Sequence, residues 1–162
     1  MRELGFSKLD WQNYITGKPK LAQPRFTSFR FTRKDKDWYI SETVKVVYRP
    51  RSHTDRSVLG LALIEASVPR WVYAHQYLTQ IKPNLDYSLA KQISEQEAKA
   101  DGFSSRGAMV DWARGVYKHR IWKEPMNMLT ISWTQRWLNV PEQKPHIAEE
   151  WVDLLGLGSM KL

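Results

Sequence analysis

The chain has 162 residues, a formal net charge of +8, eight tryptophans and no cysteine. That length suits one domain with a real core. The missing cysteine excludes a disulfide framework and any thiolate metal site, and a hydrophobic share of 42 % excludes a disordered basic tail.

Taken in chain order, Ser7 and Asp10 are spaced as a short capping box, with Phe6 and Trp11 as a hydrophobic staple. Trp11, Tyr14 and Ile15 then make an apolar stripe, so a helix is expected up to Gly17. Residues 18–24 read as a loop by their prolines. Residues 25–33 (RFTSFRFTR) suit a strand or extended loop, and 34–37 (KDKD) a charged turn. From Trp38 to Arg49 a strand is expected, with Val44, Val46 and Tyr48 on one face and Lys45, Val47 and Arg49 on the other. After a polar loop at 50–57, residues 58–66 (VLGLALIEA) are apolar on both faces, as a central strand is.

Residues 71–78 suit a helix ended by Pro83. Ser94-Glu95-Gln96-Glu97 is a full capping box opening a short helix that stops at Gly102. Another helix is expected from Ser105, with Met109, Trp112, Val116 and Tyr117 at helical spacing. In 126–137 (MNMLTISWTQRW) Leu129, Ile131 and Trp133 alternate, as in a strand. Pro141 and Pro145 mark a linker before a last amphipathic helix bearing Ile147, Trp151, Leu154 and Leu155.

Charge is concentrated in one segment. Residues 18–56 hold eleven Lys or Arg against four acids, a net of +7, interleaved with Phe26, Phe29, Phe31, Trp38, Tyr39 and Tyr48. Cations that meet phosphates, beside rings that stack on bases, are the requirements of nucleic-acid binding. Arg25, Arg30, Arg33, Lys34 and Arg51, together with Lys18 and Arg49, are the candidate phosphate contacts. Trp38 and Tyr39 are the candidate stacking rings. No helix has the density of Arg, Asn and Gln that major-groove reading favours. RNA or a single strand is therefore the expected partner rather than duplex DNA. The four histidines are scattered, so no metal site is expected, and no cofactor is called for. No apolar run approaches the roughly 20 residues of a membrane span. Residues 1–5 lack the apolar stretch of a signal peptide. A soluble cytoplasmic protein with no membrane partner is expected.

The run Ile93-Ser94-Glu95-Gln96-Glu97-Ala98-Lys99-Ala100-Asp101-Gly102-Phe103, followed by a helix through Asp111-Trp112-Ala113, resembles the ASCH domain of the PUA-like superfamily. Ile15-Thr16-Gly17-Lys18 and Val58-Leu59-Gly60-Leu61-Ala62 fit the upstream half more loosely. The resemblance spans residues 9–137 and is distinctive only at 94–112. It implies an α+β fold, a PUA-like small antiparallel β-barrel flanked by helices. One domain would cover residues 1–137, with 138–162 a C-terminal helical extension packed on it. Asp101-Gly102-Phe103 reads as a helix stop that turns Phe103 into the core.

Two functions follow from that resemblance. PUA-like barrels bind RNA or modified bases in a cleft, which agrees with the basic segment. Some small ASCH proteins are amidohydrolases on N-acylated pyrimidine nucleosides that use a Lys, a Thr and a Glu. By that analogy Lys20 or Lys18 supplies the amine, Thr27 or Ser28 the hydroxyl, and Glu65 the carboxylate. In the family the Lys and Thr lie a few residues apart, whereas here 19–24 intervene, so the register stays open. The reading adopted is a nucleic-acid-binding module, with catalysis left open. An amidohydrolase or nuclease, and a protein-interaction adaptor using surface Trp, are the alternatives.

Overall fold

The structure, a computed structural model, describes residues 1–7, 10, 13–15, 17–31, 38, 41–49, 56–87 and 91–137. The fold is mixed α+β. The strands are β1 (Glu3–Phe6), β2 (Tyr14–Ile15), β3 (Lys18–Pro19), β4 (Arg25–Arg30), β5 (Glu42–Tyr48), β6 (Ser57–Ala66), β7 (Arg70–Trp71), β8 (Lys91–Gln92) and β9 (Asn127–Arg136). The helices are α1 (His75–Ile81), α2 (Glu95–Ala100), α3 (Arg106–Tyr117) and α4 (Arg120–Lys123), with a 3-10 turn at Lys20–Ala22. A five-stranded sheet has the order β1-β5-β6-β9-β4, so the strand read as central does lie in the middle. By internal contacts the chain forms two compact units. The first is Met1–Phe26, Ser41–Ile64 and Ile131–Leu162; the second is Thr27–Ile40 and Glu65–Thr130.

In the first unit β1 runs parallel to β5, pairing Glu3 with Lys45 and Phe6 with Tyr48. The sheet is therefore mixed, where an antiparallel one was expected. Leu4 and Phe6 alternate with Glu3 and Gly5, and the two apolar side chains are buried as strand residues, whereas the parallel sense comes from the pairing with β5, far along the chain. The Phe6 ring meets Phe26 edge-on at 5.7 Å; Trp11, the other half of the expected staple, lies outside the described residues. β5 runs antiparallel to β6 with a register shift between Val46 and Val47. That irregularity breaks the alternation, so Val46, Val47 and Tyr48 are all buried although Val47 was expected on the opposite face. Opposite Val46, Gly60 lies so close to β9 that a Cβ there would come within 2.1 Å of the Gln135 carbonyl oxygen.

The helix expected up to Gly17 is also corrected. Asp10 is helical, and its carboxylate accepts from the Ser7 backbone N–H at 2.8 Å, as one half of a capping box does. Tyr14 and Ile15, however, form β2, paired antiparallel with β3.

In the second unit the strongest local signals hold. Ser94 Oγ accepts from the Glu97 N–H at 3.0 Å, and Glu97 Oε1 accepts from the Ser94 N–H at 2.9 Å. Ser105 Oγ caps α3 by accepting from the Ala108 N–H at 3.0 Å. The core joins Phe29, Phe31, Val72, Ile93, Ala98, Met109, Ala113, Ile121 and Met126, with Phe103 packed against it as expected. Val116 does not join it and is exposed. The helix expected at 71–78 begins later, because Trp71 is taken by β7, which pairs parallel with β8. A smaller cluster unites Trp71, Leu78 and Tyr87. Glu97 also holds Arg70 at 2.6 Å, tying the capping box to β7. The expected turn at 34–37, most of the loop at 50–57 and the C-terminal extension at 138–162 lie outside the described residues. Among the described residues no helix is long and apolar enough to cross a membrane.

Candidate nucleic-acid interface

The first unit is strongly cationic. Its described residues hold eight Lys or Arg (Arg2, Lys18, Lys20, Arg25, Lys45, Arg49, Arg56, Arg136) against three acids, Glu3, Asp10 and Glu42. Each acid already faces a cation. Glu3 takes Arg49 at 3.3 Å and Arg56 at 2.6 Å. Glu42 takes Arg2 at 3.5 Å. Asp10 accepts from Ser7 and lies 4.0 Å from the Lys20 ammonium. Three cations are left over. Lys18, Arg25 and Lys45 are exposed, and their side chains make no ion pair or hydrogen bond with any described residue. Uncompensated, solvated cations of this kind attract polyanions and condense on phosphate.

The candidates identified from sequence divide accordingly. Lys18 and Arg25 are exposed and pair with no described residue. Arg49 is half-buried, spent on Glu3, and its guanidinium packs over Gly5. Arg30, in the second unit, is half-buried and donates from Nε to Ser28 Oγ at 2.8 Å. Trp38 is half-buried. Arg33, Lys34, Tyr39 and Arg51 lie outside the described residues. Lys45 is a third exposed cation of the basic segment, beyond the candidate contacts read from the sequence. The signal for it was present, since strand alternation with Val44 and Val46 inward turns Lys45 outward.

The hydrolase candidates are placed as follows. Lys20, in the first unit, is 1 % exposed. Its turn is fixed from several sides. The Lys20 N–H donates to the Asn13 carbonyl at 2.6 Å, and Gln23 Nε2 to the Ile15 carbonyl at 3.1 Å. Trp133 Nε1 donates to the Leu21 carbonyl at 3.2 Å, and Arg136 Nη1 to the Ala22 carbonyl at 2.7 Å. Burial lowers the Arg136 pKa from the usual guanidinium value. The Lys20 ammonium faces Asp10 and lies 6.0 Å from the Phe26 ring. Thr27, Ser28 and Glu65 belong to the second unit. Ser28 is buried with its hydroxyl engaged by Arg30. Thr27 Oγ1 is buried without a hydrogen-bond partner among the described residues. Glu65 is exposed near the end of β6. Among the described residues no group of three His, Asp or Glu is arranged to hold a metal ion.

No protein-family model, curated protein or solved structure matches this chain.

Proposed function

We propose that this chain is a nucleic-acid-binding module of the ASCH, PUA-like kind, which holds single-stranded RNA or another single strand by phosphate contacts from its basic segment. One observation carries the reading: the described acids of the first unit are all paired, while Lys18, Arg25 and Lys45 stay exposed and pair with no described residue. Displacing counterions from phosphates by such cations drives binding that weakens steeply with salt. The helix pair at 95–117 with its Ser94 and Ser105 caps supports the ASCH resemblance. Titration of labelled single-stranded RNA, single-stranded DNA and duplex DNA of equal length at low salt tests the proposal. Single strands should bind more tightly than duplex. Absence of binding to every oligonucleotide would refute it.

A second reading, an amidohydrolase on N-acylated pyrimidine nucleosides, is favoured by the burial of Lys20 on a firmly anchored turn. Release of free cytidine from N4-acetylcytidine by the wild type, lost in Lys20→Met, would establish that reading in place of the first.

A further inference from the structure

A cavity of about 390 Å³ opens in the second unit, lined by Ile81, Lys82, His119, Trp122 and Lys123. None of these lies in the basic segment, so the site is independent of the function proposed above. Its walls are of two kinds. Trp122 and Ile81 are apolar, and Lys82, Lys123 and His119 are donors to an anion. No acid lines it.

The aromatic wall is held rigidly. The Trp122 ring stacks on Tyr73 at 3.6 Å with an interplanar angle of 2°. Tyr73 is in turn fixed by Arg114, whose Nε donates to its hydroxyl oxygen at 3.0 Å. The cationic side is joined across the two elements, because Lys82 Nζ donates to the Lys123 carbonyl at 2.8 Å. The side chains of Lys123 and His119 are exposed and engage no described residue. The neighbouring Arg120 is turned elsewhere, onto Glu124 and over the Phe31 ring. Lys118, the residue before His119, adopts φ +54, a backbone region that non-glycine residues rarely occupy.

A rigid indole beside an aliphatic side chain fits a flat heteroaromatic ring, and free ammonium and imidazole groups fit a phosphate. The volume suits a compact ligand and not an extended peptide. We infer that this cavity binds a nucleotide, its base against Trp122 and Ile81 and its phosphate on Lys123, His119 and Lys82. The nucleotide is either free or the 5′ end of a strand.

Isothermal titration calorimetry of the full chain with adenosine 5′-monophosphate, adenosine and inorganic phosphate tests this. The monophosphate should bind at least about tenfold more tightly than either fragment, since ring and charge act together. Lys123→Glu should weaken it by about tenfold or more, and so should Ile81→Glu; both positions are exposed, so the fold is kept and a melting curve verifies it. The triple variant Lys18→Ala/Arg25→Ala/Lys45→Ala should bind the monophosphate as the wild type does, even if strand binding is lost. Competition by a 5′-phosphorylated oligonucleotide, but not by its unphosphorylated form, would assign the site to strand ends; indifference to both would assign it to free nucleotides. Failure of the monophosphate to bind at millimolar concentration, or equal binding by wild type and both folded cavity variants, would overturn the inference. Binding of an acidic peptide in its place would overturn it as well.

Discussion

Replacing Gly60 with alanine perturbs the first unit where β6 and β9 come close together. Gly60 has φ +154, and an added Cβ would stand 2.1 Å from the Gln135 carbonyl oxygen and 2.9 Å from the Arg136 Cα. Both obstacles are backbone. Relief therefore requires β9 to move away from β6, not merely a change of rotamer. Overpacking of a filled site costs about 1–3 kcal/mol, and a disfavoured backbone angle costs a comparable amount, so Gly60→Ala should destabilise by about 3 kcal/mol or more. Two other glycines separate these contributions. Gly17 has φ +80 but nothing within 4 Å of the new Cβ. Only the backbone penalty acts there, and Gly17→Ala should cost about 1 kcal/mol. Gly115 lies inside α3 in open space. There alanine improves helix propensity, and Gly115→Ala should stabilise by about 0.5–1 kcal/mol. Urea unfolding of the full chain measures all three, provided the slopes agree. A Gly60→Ala midpoint equal to that of Gly17→Ala would refute the close approach of the two strands.

Other variants test further contacts. Burial pushes the Glu97 carboxyl up, but the Ser94 N–H, the Arg70 guanidinium and the Ser94 hydroxyl outweigh it and hold its pKa below the usual glutamate value. A carboxylate lowered in this way contributes stability in full above its unfolded pKa and loses it as pH falls through the folded one. Glu97→Gln should therefore destabilise at neutral pH by about 1–2 kcal/mol, and the gap to wild type should shrink on acidification in pH-dependent melting curves. Lys20→Met keeps the buried stem and removes the charge, so its stability in urea should stay within about 1 kcal/mol of wild type, because desolvation of the ammonium offsets its attraction to Asp10. Lys20→Ala, which leaves a cavity instead, should lose about 2–4 kcal/mol in the same assay.

What was legible in the sequence was local. The Ser94 box and the Ser105 cap act within three residues of themselves, and both helices lie where those caps place them. The doubly apolar run at 58–66 reads as a central strand, and it is the middle strand of its sheet, although Val58, Leu61 and Leu63 are only half-buried. What failed depended on distant partners. The parallel pairing of β1 with residues some forty positions on is encoded by no local pattern. The bulge at Val46/Val47 reverses the facing of Val47 for the same reason. Arg49 resembled any other cation of the basic segment until β1 brought Glu3 beside it. Lysine is the residue least expected inside, and only the turn anchored by Trp133 and Arg136 explains how Lys20 comes to be covered. Composition revealed the excess of charge, but not which cations would be left unpaired.

The most direct test of the central claim compares salt dependences. Affinity for a single-stranded RNA oligomer would be measured by fluorescence anisotropy from low to moderate salt, for wild type and for Lys18→Ala/Arg25→Ala/Lys45→Ala. Each phosphate contact on a single strand contributes about −0.7 to the log–log slope, so the triple variant should bind more weakly with a slope shallower by about 2. Equal affinity and equal slope in the two folded proteins would contradict the assignment of these three residues as the phosphate-binding face.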